Sequence, residues 1–554
     1  MKRDGQQRKT QVRTMSAAAV ALTLLTLLTL LFSFAAVPAQ AQTPTTLYSF
    51  VNGMSDAAGP TGNIVQGRDG NIYGVGAEGL RGANKTGAVY KITPTGAESV
   101  LVNFPANWIN CYSGFTLGRD GNFYGACEQG NPTNNGSFLF RMTPAGVLTD
   151  IHDFATGIFA EYAPIQGADG NFYGVTSTLV YKMTAAGVVT TIHTFVSPDV
   201  QPLSNLYQAS DGNLYATITL CALSGNRGCV YRVSTSGAYK NIYGFADPTG
   251  SFPCTSLIQG KDGKLYGMTN FGRPLNQGNI YKITTAGVNT GLHDINSVTD
   301  GYCNGVSLVV SLLQVNDGTF YGTNYGGGNA NTGSIYKLTS ANVFSAFLFP
   351  ANSTGGNGPD STLIQHTNGL VYGTSSGGGA NGVGTFFSVA TGDAPFVNLE
   401  PTQLSGNVSA NVGMFGQGFS GASVVKFGGV AATSVTLTGT TYLTAVVPAG
   451  AHTGTVTVTT GSTTLTSPQT YKVKPKILNF TPTSGHVAQL VTINGTGLIQ
   501  TTGVKFGTVK ATTFTVVSDS QVTAVVPTLP LGAVTISITT PGGTANSPTK
   551  FTVN

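Results

Sequence analysis

LIQGKDGKLYGMTN, Leu257 to Asn270, followed by GNIYKITTAG, Gly278 to Gly287, is the stretch whose reading decides the fold. Its kernel is D-G-x-x-Y-G, here Asp262-Gly263…Tyr266-Gly267. Other copies begin at Asp69, Asp120, Asp169, Asp211 (with Ala216 as the last residue), Asp317 and, as Asn-Gly, at Asn368. Seven copies spaced roughly 50 residues apart describe a repeat architecture rather than one enzyme core. Asp-Gly between alternating apolar runs predicts a hairpin with a tight primed turn, in which glycine supplies the positive φ.

A third strand follows each hairpin: Val89-Tyr90-Lys91-Ile92 in the first unit, Ile280-Tyr281-Lys282-Ile283 in the fifth, Phe386-Phe387-Ser388-Val389 in the last. A fourth ends on Phe104, Phe154, Phe195, Phe245, Ile295 or Phe349. Four strands in seven units predict an all-β chain with a seven-bladed β-propeller over residues 46–391. The last unit has no fourth strand after Val389, whereas an orphan Leu47-Tyr48-Ser49-Phe50 precedes the first hairpin. That segment is expected to complete the last blade, which removes the free sheet edges of an open array.

Residues 1–41 read as an export signal, with Lys2, Arg3, Arg8, Lys9 and Arg13 before an apolar run from Ala17 to Val37. The run is long enough to cross a bilayer if retained. The small-residue site Ala39-Gln40-Ala41 favours cleavage near Ala41, which leaves no membrane span and a secreted or cell-surface chain. The signal holds most of the formal net charge of +5. The mature chain is close to neutral, which argues against nucleic acid or another polyanion as partner. Charged residues make up 9% of the sequence, against about 25% in typical globular domains.

Six cysteines in an exported chain predict disulfides. Cys221 and Cys229 flank one loop of blade four, Cys111 and Cys127 fall opposite each other in blade two, and Cys254 and Cys303 lead into neighbouring blades five and six. The expected pairs are 111–127, 221–229 and 254–303. No C-x-x-C spacing or adjacent histidine supports zinc instead. All six cysteines lie at the end of the wheel opposite the Asp-Gly turns, where loops vary in length and content. Such loops on a rigid scaffold are where binding usually resides. They carry the candidate ligand-binding residues Trp108, Tyr112, Phe159, Glu161, Tyr162, Phe252, Tyr302 and Tyr325, with Glu128, Asp247 and Asp300 as further acids. Aromatics beside acids and amides suit a glycan or a peptide surface; loop-on-loop packing is the competing explanation.

After Gly392-Asp393-Ala394-Pro395 a different repeat begins. Val425-Lys426-Phe427-Gly428 matches Val504-Lys505-Phe506-Gly507, and Thr444 to Pro448 matches Thr523 to Pro527. Two domains, 395–473 and 474–554, are expected as immunoglobulin-like sandwiches without the antibody Cys and Trp, joined directly at Lys474-Pro475 as a semi-rigid rod. GGGNANTGSIYKLT and QGADGNFYGVTS resemble the bacterial Gloeo/Verruco tandem repeat of exported and surface proteins. F-x-P-x-S-G (Phe480 to Gly485), G-x-G (Gly495 to Gly497) and V-x-F-G resemble IPT/TIG domains. In the first copy Leu399-Glu400-Pro401 departs from that pattern. The resemblance implies extracellular interaction and supplies no catalytic residue.

The hairpin aspartates sit where an Asx turn is needed. In the third-strand Tyr-Lys pairs, alternation sends ring and cation to opposite faces. His152, His193 and His293 occupy outer-strand positions where other blades have Val or Phe, so they read as packing. Two G-x-G-x-x-G matches open no helix. The hairpin is also similar to the DGN-x-W-F of streptogramin-lyase-type propellers, where top-face His and acid residues act with a divalent metal. The Trp-Phe-Thr-Glu continuation is missing here, and fold alone does not confer function. The expected function is non-catalytic binding or adhesion, with a glycan or surface protein as partner and no cofactor or metal. A lyase or hydrolase with a top-face pocket, or a structural envelope protein, are the alternatives.

Overall fold

The hairpins are closed by a recurring set of side-chain bonds. In a computed structural model, residues 43–554 are described apart from 52–56, 78–86, 131–134, 198, 203, 247–249, 273–274, 304–311, 329, 351–354, 360 and 401–402. The expected export segment, Asp247 and Pro401 lie outside the described residues. Asn71 N–H donates to Asp69 Oδ1 at 3.1 Å, and the Tyr73 hydroxyl donates to Asp69 Oδ2 at 2.9 Å. The same two bonds recur at Asp120, Asp169, Asp211 and Asp262.

The turn differs from the primed type. Gly70 N–H donates to Gly67 O, and Gly67 N–H to Asn71 O. Within each Asp-Gly or Asn-Gly pair only the glycine is left-handed, with φ from +77° to +95° across the hairpins. This is a type I turn closed by a glycine bulge. A primed turn needs positive φ at both central residues, and the aspartate does not adopt it.

Among the described residues, the first part of the chain forms seven sheets of four or five strands. Blade one runs Pro60–Gln66, Ile72–Gly76, Ala88–Ile92 and Glu98–Asn103 from the axis outward. Thr45–Ser49 pairs antiparallel with Thr385–Val389 as the outer strand of blade seven. Inner strands of blades seven and one meet at a parallel Gly62–Ser361 bridge. The ring is therefore closed by the front segment.

Adjacent blades pack through second-strand aromatics. Tyr73 lies 4.4 Å from Phe123, Tyr124 4.2 Å from Phe172, and Tyr266 4.2 Å from Phe320, between ring centroids. The third-strand tyrosines 90, 181, 231, 281 and 336 are fully buried, while the neighbouring Lys or Arg is half-exposed. A Cβ at Gly74 would stand 2.2 Å from Tyr90 Oη, and one at Gly174 2.1 Å from Tyr181 Oη. The glycine ending D-G-x-x-Y-G thus makes room for a ring on the next strand.

A glutamine three residues before the hairpin Asp staples neighbouring blades. The side-chain oxygens of Gln166, Gln208, Gln259 and Gln314 accept from the backbone of Arg119, Ala168, Ser210 and Lys261 at 2.7–2.8 Å. Their amide nitrogens donate to glycine carbonyls of their own hairpins. Gln66 likewise accepts from Thr367 across the closing junction. In blade two the position is Leu117, and there Arg68 donates to Arg119 O at 2.6 Å instead.

The two C-terminal domains are sandwiches with the same strand order. Each pairs a four-stranded sheet with a five-stranded one and contains one parallel contact, Ser405 with Lys472 and Ser484 with Thr552. Alternation buries Val425, Phe427, Val456 and Val458 in the first core and Val504, Phe506, Ile536 and Ile538 in the second. They abut directly: Thr453 N–H donates to Gln500 Oε1 at 2.7 Å. No helix among the described residues is long and apolar enough to cross a membrane.

Candidate functional site

The two ends of the wheel are unlike. At the hairpin end, blades one and seven carry the first sandwich. Arg68 Nη2 donates to the buried Glu400 at 2.8 Å, and its guanidinium lies 4.4 Å over the Tyr442 ring. Tyr442 also donates to Glu400, at 2.7 Å. Gln417 donates to Thr367 Oγ1 at 2.8 Å, and Phe396 N–H to Thr367 O at 3.0 Å. Beside this contact a cavity of about 360 Å³ lies between the inner strands, with Ile64, Phe115, Ile165, Ile364, Glu400 and Phe415 in its wall. Most of that wall is apolar, and Oε1 of its carboxylate is taken up by the domain contact.

The opposite end holds the variable loops and all three disulfides, 111–127, 221–229 and 254–303. The candidate residues found there are not all surface groups. Trp108 is buried, 4.6 Å from Phe138 and 5.3 Å from Phe140. This corrects its reading as a contact residue: Trp108–Ile109 folds back as a strand against Glu128 and Gln129, which carries the indole into the core of blade two. Tyr162 is also a core residue, packed with Phe195 and Leu206, and burial pushes its phenol pKa well up. Asp300 is no free acid. It is buried and accepts from His293 Nε2 at 2.8 Å, Asn296 N–H at 3.0 Å and Thr299 Oγ1 at 2.8 Å.

Others remain at the surface. Tyr112 is 45% exposed. Glu161 stands beside Glu128; partial desolvation, then the charge of Glu128, raises its carboxyl pKa. Glu128 accepts from Asn110 at 2.8 Å. Phe159 and Tyr325 are half-buried. His193 stacks on Tyr239 at 4.0 Å and His293 on Phe344 at 3.7 Å, so these imidazoles pack between outer strands. Among the described residues no cluster of three or more His, Cys, Asp or Glu could hold a metal ion.

Two candidates, Phe252 and Tyr302, converge where blades five and six meet. A cleft of about 310 Å³ there is lined by Asn270, Phe271, Asn276, Gln277, Ser297 and Tyr302. Phe252 supports Phe271 edge-on, with ring centroids 5.9 Å apart at 88°. Tyr302 bridges to Gly326 through its backbone and donates to Asn331 Oδ1 at 3.1 Å. A Cβ at Gly326 would meet Tyr302 Cζ at 2.8 Å, so the tyrosine ring lies directly on that glycine. The Cys254–Cys303 bridge ties together the segments that carry Phe252 and Tyr302. Phe271 and the three amides escape a reading based on the leading loops. Phe271, Asn276 and Gln277 belong to FGRPLNQG, a second-to-third-strand loop with Phe271 and Leu275 among Gly, Arg, Pro and amides, and Asn270 directly precedes it.

A closed wheel of repeated blades followed by immunoglobulin-like sandwiches, with loops concentrated at one end, defines a propeller-type repeat protein. The Gloeobacter/Verrucomicrobia repeat matches residues 31–179 and 160–387, and the chain belongs to that family. An IPT/TIG domain matches residues 475–553; the first sandwich shares its strand order. No curated protein matches the chain in sequence. Solved structures similar to it include a fungal alcohol oxidase in complex with copper, at 12% identity over 93% of this chain and 100% of that one, TM-score 0.42. SGBP-B from a xyloglucan utilization locus in Bacteroides uniformis matches at 20% identity over 28% of this chain, TM-score 0.16, and the chain spans 48% of its length. The surface glycan-binding PbSGBP-B of Prevotella bryantii matches at 17% identity over 29% of this chain and 40% of its own, TM-score 0.21. All three TM-scores are low, and these likenesses do not bear on what this chain binds.

Proposed function

We propose that this chain is an exported, non-catalytic binding or adhesion protein whose loop end meets a glycan or protein at or outside the cell surface. The observation that carries the reading is the cleft at blades five and six, where half-exposed aromatics and amides converge on a disulfide-tied frame. The first sandwich occupies part of the hairpin end, so the loop end is the more open surface. Three disulfides suit an oxidising compartment outside the cytosol. The second sandwich, which matches the IPT/TIG domain, fits a spacer or a second binding module.

The test uses the mature, oxidised chain against a panel of glycans and envelope extracts, with ligand mass measured before and after. Retention of a ligand of unchanged mass is the expected result. Turnover of any panel member, or no retention at all, overturns the proposal.

A further inference from the structure

We infer that the cleft between blades five and six recognises a neutral oligosaccharide; this rests on the binding role proposed above and narrows it to one chemistry. The amides supply the first reason. Asn276 Oδ1 accepts from Gly272 N–H at 3.2 Å, and Gln277 Oε1 accepts from Ser297 N–H at 2.6 Å. An NH₂ group cannot accept those bonds, so the backbone fixes which end of each amide is which. The acceptor ends are tied to the frame, and the NH₂ ends are what these side chains offer to a ligand. Donors select a ligand rich in oxygen acceptors, such as sugar hydroxyl and ring oxygens.

The aromatics supply the second. Phe271 is 43% exposed beside Tyr302 in the cleft. The negative face of an aromatic ring attracts polarised C–H groups, which one face of a pyranose presents. Charge supplies the third. None of the six residues named in the cleft wall is charged, so none of them offsets the desolvation of a charged ligand.

The frame is also stiff. Asp300 holds the 293–300 turn through three hydrogen bonds. Phe252 keeps a left-handed φ of +55° two residues before Cys254. A non-glycine residue held there is strained and persists only where its surroundings over-determine it. Fixed loops lower the ordering cost of binding.

The experiment is calorimetric titration of the mature, oxidised chain with neutral gluco-, xylo-, manno- and galacto-oligosaccharides, and with an acidic oligogalacturonide as control. A neutral member should bind. Phe271→Ala should weaken it about tenfold or more, Gln277→Ala several-fold, and Phe271→Trp should retain it. Val188→Ala, at an exposed turn of blade three, should leave it unchanged. Phe271 and Gln277 lie at the surface, and matching thermal unfolding of each variant checks that folding is intact. Binding indifferent to Phe271→Ala and Gln277→Ala, or confined to the acidic control, overturns the inference. Capture of a surface protein without any oligosaccharide also overturns it while leaving the broader binding role standing; retention of nothing sinks both.

Discussion

Tyr181 shows how the repeat spends its side chains. Its ring fills the space above Gly174, and full burial drives its phenol pKa far above the ordinary value. Blades two and seven place Phe140 and Phe387 over Gly125 and Gly373 at the same position, so the ring rather than the hydroxyl is what the site needs. We expect Tyr181→Phe to change unfolding free energy by no more than about 1 kcal/mol in denaturant titration; a loss of several kcal/mol would mean that the hydroxyl holds the blade. His366 behaves differently. It stands where most blades have glycine, fully buried, donating from Nε2 to Gly70 O at 2.9 Å and accepting Asn368 N–H at Nδ1. Accepting at Nδ1 requires the neutral ring, and burial lowers its pKa. The unfolded value is about 6.5, so the stability from burying neutral His366 is present above that pH and is lost as pH falls through the lower folded value. His152 and His193 shift in the same direction, also by burial. Thermal unfolding from pH 8 to 5 should therefore fall less steeply for His366→Gln than for the parent; identical slopes would remove His366 from the account. The Asp-Gly-Tyr kernel was readable as a turn because the local bonds that need it span only a few residues. Neither the roles of His366 nor the burial of Trp108 was readable, since their partners are distant in sequence or belong to a loop that pairs as a strand.

At the scale of strands and loops, cross-links and staples divide the task of holding blades together. Cys254–Cys303 spans 49 residues, Cys111–Cys127 spans 16 and Cys221–Cys229 spans 8. Loop-closure entropy ranks them in that order, at roughly 4, 3 and 2.5 kcal/mol. Replacing each pair by alanine and measuring unfolding in denaturant should reproduce the ranking; equal losses would argue that strain or residual structure dominates. Gln208 makes one bond to blade three and one within its own hairpin. We expect Gln208→Leu to cost about 1–2 kcal/mol, because the position held by Arg68 beside Leu117 is Ala168 at that junction. Strand order and ring closure were legible from the period and from the orphan Leu47 to Phe50. The glutamine staple was equally regular in the sequence, three residues before each Asp but one, yet its meaning depends on a neighbouring blade. The cysteine pairs were legible once the blades were counted. The type of the hairpin turn was not, because Asp-Gly serves both a primed turn and a type I turn with a glycine bulge.

At the scale of the whole molecule, the two kinds of repeat depart from their own patterns where they meet. Blade seven replaces the hairpin aspartate with Asn368, and Thr367 beside it contacts Phe396, Gly416 and Gln417. The first sandwich has Glu400 where the second has Thr481, and Glu400 is the residue that meets Arg68. The weaker match of Leu399-Glu400-Pro401 to its family pattern thus reflects a docking contact, and the sandwiches do not begin as a free tether. Glu400 is almost wholly buried and Arg68 keeps 25% of its side-chain exposure, so loss of one partner leaves a poorly solvated charge. A double-mutant cycle with Arg68→Met and Glu400→Gln should give a coupling of about 2 kcal/mol, read from unfolding of the full chain. Arg68→Met should cost more than Glu400→Gln, because Arg68 also spans the junction of blades one and two. Both variants should expose the 392–395 linker to faster proteolysis. A coupling near zero with an unchanged cleavage rate would mean that the sandwich is held by Thr367 and its neighbours, and that the repeat departures at Arg68 and Glu400 serve something other than docking.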